Sequence, residues 1–172
     1  MIRKATLLDI KEIMECVEDA KFLLKQSGSK QWNGDDGYPS KDDLCKDIIN
    51  DVCYVNIIDN RVVGVCAYEG IEPEYDNIYG NWITDTNDYI TIHRICTKEE
   101  YRSRGVAKEL MLYAETYAKN IGKKSIRIDT HPMNHAVQHI AESLNYTLCG
   151  YVIYHRIKDE PKRLIYEKII KW

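Results

Sequence analysis

The sequence predicts an α+β fold, an α/β sandwich in which a mixed central sheet of about seven strands carries four helices. Three observations predict it. Short β-rich apolar runs alternate with stretches whose apolar residues recur at helical spacing, and their order along the chain is β-α-α-β-β-β-α-β-α-β-β. The length of 172 residues, 44% of them apolar, suits one domain, residues 1–172, with a core of its own. No repeat, low-complexity segment or linker divides it.

Ile2 to Ala5 reads as a short strand, and Thr6-x-x-Asp9 as the cap of the helix that follows. Ile10, Ile13, Met14, Val17 and Leu24 give that helix its apolar face, and it ends near Gly28. Gln31 to Pro39, QWNGDDGYP, is a structured loop, and Ser40-x-x-Asp43 opens a second helix. Val52 to Ile58 and Val62 to Tyr68 form a hairpin across Asp59-Asn60-Arg61. Glu69 to Asp88 then holds six acids and no Lys, Arg or His, so this loop carries a negative field. Tyr89 to Thr97 is a strand. Val106, Leu110, Tyr113, Ala114, Tyr117 and Ile121 mark a third helix stopped by Gly122. Ser125 to Asp129 is a strand, Asn134 to Leu144 a helix, and Tyr146 to Arg156 with Arg163 to Ile170 a closing strand pair.

The net charge of −3 removes the basic stripe that a nucleic-acid binder needs. The longest apolar run, Val62 to Tyr68, is far short of the ~20 residues of a bilayer span, and MIRKATLLD has no signal-peptide core. A cytoplasmic protein is expected, with neither nucleic acid nor membrane as partner. Six cysteines without a C-x-x-C pair read mostly as small core hydrophobes. Cys96 and Cys149 lie near the motifs below, but neither stands in a recognisable Cys/His pairing.

The chemistry begins at HRICTKEEYRSRGVAKEL, His93 to Leu110. The first turn of a helix leaves four N–H groups unpaired and carries about half a positive charge. Gly105 and the small Ala107 let an anion approach the main chain there, while Arg102 and Arg104 add charged donors. Placed after a strand and before an apolar-periodic helix, the stretch is suited to a pyrophosphate. No G-x-x-x-x-G-K-[ST] and no Rossmann fingerprint occurs.

Arg102-x-x-Gly105-x-Ala107, after the strand end Ile95-Cys96-Thr97 and the connector Lys98 to Tyr101, resembles the signature [QR]-x-x-G-x-[GA] of the GNAT family of N-acetyltransferases. The resemblance covers essentially the whole chain, including an N-x-x-[AMV] helix at Asn134 to Val137. It is nearest to small bacterial members of unassigned substrate that share a QW…GYP loop, an IHRI strand and a DTH strand end. It implies the GNAT fold, acetyl-CoA as cosubstrate, and transfer of an acetyl group to a primary amine by direct attack in a ternary complex. It further implies pantetheine pairing along Ile95, Cys96 and Thr97, with the N–H near Ile95 polarising the thioester carbonyl. The backbone of Arg102, Ser103, Arg104, Gly105, Val106 and Ala107, with Lys108, would grip the pyrophosphate, and Asn134 would reach the pantetheine arm.

A base is needed because an alkyl amine, like Lys at about 10.4, is largely protonated at neutral pH. His93 is the first candidate, since strand alternation puts it on the face of Ile95; a buried, hydrogen-bonded histidine is the alternative. Relatives place a histidine at this offset, or a Glu two residues earlier, where Thr91 stands here. Asp129 and His131 are the second candidates, against a structural role in bonding amides near Pro132. The tyrosine that many relatives carry seven residues after the helix asparagine is replaced by Ala141. Tyr151, Tyr154 or water is left to protonate the departing thiolate, with Tyr151 preferred.

His131, His135 and His139 are spaced four apart, but without the Glu of H-E-x-x-H they point to no metal. The resemblance places the acceptor between QWNGDDGYP and the acidic loop, where Trp32, Tyr38, Asp35 and Asp36 suit a cationic small-molecule or peptide amine. A homodimer stays open. The competing class is a non-catalytic acyl-CoA-binding sensor, separated from an enzyme by thiol release from acetyl-CoA.

Overall fold

The computed structural model describes residues 1–171. Its elements are β1 (Ile2–Lys4), α1 (Ile10–Gln26), α2 (Lys41–Ile49), β2 (Cys53–Ile58), β3 (Arg61–Glu69), β4 (Tyr79–Gly80), β5 (Tyr89–Thr97), α3 (Val106–Asn120), β6 (Ser125–Thr130), α4 (His135–Ser143), β7 (Thr147–Ile153) and β8 (Lys162–Ile169). They form one eight-stranded sheet in the order β1-β2-β3-β5-β6-β8-β7-β4. Every pairing is antiparallel except β5 with β6. No described helix is long and apolar enough to cross a membrane.

Alternation along the strands builds two cores. Tyr54, Cys66, Tyr68, Ile90, Ile92, Ile126 and Ile128 pack on Leu110, Met111 and Ala114 of α3 and on Ala141 of α4. On the other face Cys53, Val55, Val62, Val65 and Cys96 pack on Ile13, Cys16 and Val17 of α1 and on Leu44 and Ile48 of α2. A third cluster, Tyr75, Tyr89, Val152, Tyr154 and Ile165, lies under the acidic loop.

The capping signals act as their spacing predicts. Thr6 N–H donates to the Asp9 carboxylate (2.7 Å), and Ser40 and Asp43 bond each other reciprocally at the start of α2. Asp59 and Asn60 take φ of 50° and 60° in the β2–β3 turn, as a tight right-twisted hairpin requires.

The eighth strand was outside the expectation. β4 is two residues long, and it pairs with β7 because Gly80 and Gly150 meet back to back: a Cβ on either would lie 2.1 Å from a carbonyl oxygen of the other strand. Neither periodicity nor β-propensity signals so short a strand.

A glycine also seats α3. A Cβ on Gly64 of β3 would lie 2.5 Å from Val106 Cγ1 and 3.3 Å from Leu110 Cδ1, so its absence lets the first turn of α3 rest on the sheet. Gly64→Ala is therefore expected to cost about 1–3 kcal/mol through overpacking. A lower urea midpoint at unchanged m-value checks it, and an unchanged midpoint contradicts it.

Candidate active site

The connector from β5 to α3 is clasped by α1. Lys98 Nζ donates to Glu15 (2.5 Å), Glu99 N–H to the Asp19 carboxylate (2.7 Å), and Arg102 Nη2 to the Asp19 carbonyl (2.6 Å). Ser103 and Gly105 then take φ of 60° and 82°, and the chain turns sharply into α3. The first inward bond of the helix runs from Glu109 N–H to the Gly105 carbonyl (2.8 Å), and no side chain caps this end. The amides of Gly105, Val106, Ala107 and Lys108 thus have no acceptor among the described residues. A Cβ on Gly105 would meet nothing within 4 Å, so open space lies before this cluster of donors. Arg102 is spent on α1 and on Glu99 (3.8 Å), and Arg104 stacks over Tyr101 (5.3 Å). The donors left open at this end are main-chain amides more than arginines.

Beside it, β5 and β6 part company. Their parallel register runs only from Tyr89↔Ser125 to Ile92↔Ile128; beyond it His93–Thr97 stay with β3, while Asp129 and Thr130 stay with β8. The β5 backbone at Ile95, Cys96 and Thr97 therefore borders a cleft. A bulge lies in this segment: His93 pairs with Ala67 and Cys96 with Val65, so two residues of β5 oppose one of β3, with Arg94 at φ 53°. The bulge corrects the simple alternation expected for the strand. His93 shares a face with Cys96, whereas Ile95 packs against the α3 cluster on the opposite face.

Arg94 is locked in place. Its guanidinium forks onto Asp47 (2.6 and 2.9 Å), contacts Glu69, and donates to Tyr38 Oη (2.8 Å). This joins α2, the 31–39 loop and β3 at one point. His93 Nε2 lies 3.5 Å from Glu72 Oε2 and 3.9 Å from Glu69 Oε2. Glu72 itself is 7% exposed and also accepts from Glu74 N–H (3.2 Å) and Arg156 (3.4 Å). Burial alone would raise its carboxyl, but the bonds from His93, Glu74 and Arg156 prevail and hold it down to about 2. Asp129 Oδ2 accepts the hydroxyls of Tyr75 (2.6 Å) and Tyr154 (2.7 Å). Burial and the Asp129 charge push both phenols well above their ordinary value.

The remaining sequence candidates divide. Both ring nitrogens of His131 are taken, Nδ1 by Met133 N–H (3.1 Å) and Nε2 by Glu160 (2.8 Å). Burial and the Arg163 charge lower its pKa and favour the neutral imidazole, whose two nitrogens are both engaged in structural contacts. Tyr151 pairs with Leu164, on the face of the α3 cluster, and stacks on Tyr79 at 4.8 Å; Tyr154 is the tyrosine at Asp129. Asn134 caps α4 by accepting from Val137 N–H (3.4 Å). Tyr38 reaches the site, Trp32 packs against the α1–α2 core, and Asp35 and Asp36 are exposed, with Asp36 accepting from Tyr38 N–H. Burial pushes the Cys96 and Cys149 thiols up, so neither is poised as a thiolate. Among the described residues no three His, Cys, Asp or Glu side chains gather as a metal site. Sequence reasoning missed Glu72, Tyr75 and Arg94. The one signal was Glu72-Pro73 inside an acidic loop, where the proline starts a 3-10 turn that carries Tyr75 inward.

The profile of the Acetyltransferase (GNAT) family matches residues 19–146. Among solved structures, the chain is similar to a GNAT-family acetyltransferase from Streptococcus agalactiae, at 36% identity and TM-score 0.88, covering 100% of this chain and 96% of that one. It shares its fold with the PaiA N-acetyltransferase of Thermoplasma acidophilum in complex with coenzyme A (18%, TM-score 0.69, 98% of each chain). The ribosomal-protein-S18-alanine N-acetyltransferase of Escherichia coli also shares it (10%, TM-score 0.70, 100% and 94%). No curated protein matches the sequence. The chain belongs to the GNAT acetyltransferase family.

The depressed Glu72 carboxyl has a pH signature. Between its ordinary value of 4.5 and about 2, the unfolded chain binds a proton that the folded protein does not. The stabilisation is present above about pH 4.5 and is lost as pH falls through about 2. Melting curves from pH 7 down to pH 2 should show Glu72→Gln less stable at neutral pH, with the gap to wild type closing on acidification. A gap independent of pH contradicts the assignment.

Proposed function

We propose that the protein transfers the acetyl group of acetyl-CoA to a primary amine of a small molecule or peptide, by direct attack in a ternary complex. The observation that carries this reading is the row of unpaired amides at Gly105 to Lys108, which opens on free space beside the cleft where β5 leaves β6. The pyrophosphate of the cosubstrate suits those amides and the helix dipole behind them. The pantetheine then runs along Ile95 to Thr97, in the place a neighbouring strand would take, with Asn134 at the far wall.

The amine nitrogen attacks the thioester carbonyl carbon, and the Ile95 N–H stabilises the developing oxyanion. The C–S bond breaks as the amide forms, and CoA departs as thiolate. His93 takes the proton released by nitrogen, with Glu72 holding the imidazole and stabilising the imidazolium. Tyr75 and Tyr154, pushed far up, are poor acids toward a thiolate whose ordinary value is about 8.5. In this reading they fix Asp129 as a contact for the incoming amine, and water protonates the thiolate.

Two variants separate binding from chemistry. Ala107→Glu puts a carboxylate among the phosphate donors and should weaken CoA binding by at least ~10-fold in calorimetry. His93→Ala should leave CoA affinity intact while lowering the rate of thiol release about 10²-fold or more. Undiminished turnover in His93→Ala removes it as the base, and background-level thiol release by wild type with every amine supports a non-catalytic CoA binder instead.

A further inference from the structure

Arg163 of β8 stands opposite Val152 and is 6% exposed, yet no carboxylate among the described residues comes within 4.0 Å of it. Its Nη1 donates to the carbonyls of Glu160 (2.6 Å) and Lys162 (2.8 Å), while its Nε and Nη2 bond no described group and are not fully closed off from solvent. A guanidinium so buried and without a counter-ion is costly, which is reflected in a pKa lowered by burial. Every other arginine as deeply placed is paired: Arg94 with Asp47, and Arg127 with Glu167. Asp129, whose strand partner Ile165 lies two residues from Arg163 on the same face of β8, and Glu160 are the carboxylates whose charge it feels, and Arg156 is the neighbouring cation. Glu160 is already bonded to His131 and to Lys30 N–H. Asp129 spends Oδ2 on two tyrosines, whereas its Oδ1 accepts from no described group.

An anion and a cation thus lie near enough to feel each other without touching, each with bonding capacity unused. We infer that the acceptor is zwitterionic: a small amino acid whose amine lies at Asp129, toward His93, and whose carboxylate pairs with the free edge of Arg163. The guanidinium fork suits a carboxylate, whereas the neighbouring Arg156, over the Tyr154 ring at 4.4 Å, is already paired with Glu72. The inference rests on the acetyl-transfer reading and narrows it. A peptide N-terminus, whose α-carboxylate has become an amide, would leave Arg163 without its counter-ion.

The test measures thiol release from acetyl-CoA by the whole protein with the twenty amino acids, their carboxamides and the corresponding decarboxylated amines. At least one amino acid should exceed its carboxamide in kcat/KM by about 100-fold or more, since the uncharged analogue leaves the guanidinium without a counter-ion. Arg163→Gln should bring that ratio close to one, chiefly through KM, with CoA affinity unchanged. If Arg163 only ties the β7–β8 turn through the two carbonyls, wild type will use carboxamides or simple amines equally well, and the inference falls while acetyl transfer stands. That ratio is read on wild type, so it decides the matter even if Arg163→Gln does not fold. Transfer to none of these amines overturns this inference, whereas the acetyl-transfer reading falls only if peptide amines also give background thiol release.

Discussion

The start of α3 is the constraint on which the site depends. A helix end with four free amides is useful only if it is held still and kept uncovered, and different residues meet those two needs. Gly64 and the buried Val106 fix the depth of the helix on the sheet, while Asn56, fully buried, donates to Glu109 (2.7 Å) one turn further on. Glu15 and Asp19 of α1 fix the connector. With position set from two sides, the Ser103–Gly105 turn stays open in front, and the amides are presented without local acceptors.

The second device is the parting of β5 from β6. Two parallel strands that separate after four paired residues leave main chain at the centre of a sheet without a neighbour, which is tolerable only where something else supplies the hydrogen bonds. The bulge at Arg94 assists, because a local left-handed residue redirects β5 and moves His93 to the face opposite Ile95. His93 and Ile95 are thereby presented on two faces of one strand. Arg94, tied to Asp47, Glu69 and Tyr38, converts the same irregularity into an anchor that joins α2, the 31–39 loop and β3.

Much of this was legible in the sequence. Strand β5 and the first residue of α3 coincide with their expected bounds, because periodicity, capping pairs and glycine stops are local signals. The uncapped start of α3 was legible for the same reason, because Gly105 and Ala107 mark it locally. What escaped is tertiary. No local pattern marks Glu72 as the partner of His93, since the two meet through a loop packing over the sheet. Arg102 has the right spacing for a phosphate contact, yet a carbonyl of α1 claims it. His131 stands near Asp129 in sequence, but one of its nitrogens closes a turn on Met133 N–H and the other meets Glu160. Sequence alone preferred Tyr151 to Tyr154, and only the strand register places Tyr151 on the α3 face and Tyr154 at Asp129.

The central claim is that main-chain amides at Gly105 to Lys108 bind a diphosphate. Titration calorimetry with CoA beside pantetheine, which shares the thiol arm but lacks the diphosphate, tests it most directly. The account predicts that CoA binds and pantetheine is weaker by at least ~100-fold, from the loss of several charge-assisted bonds. Equal affinity for the two, or no heat with CoA, would contradict it.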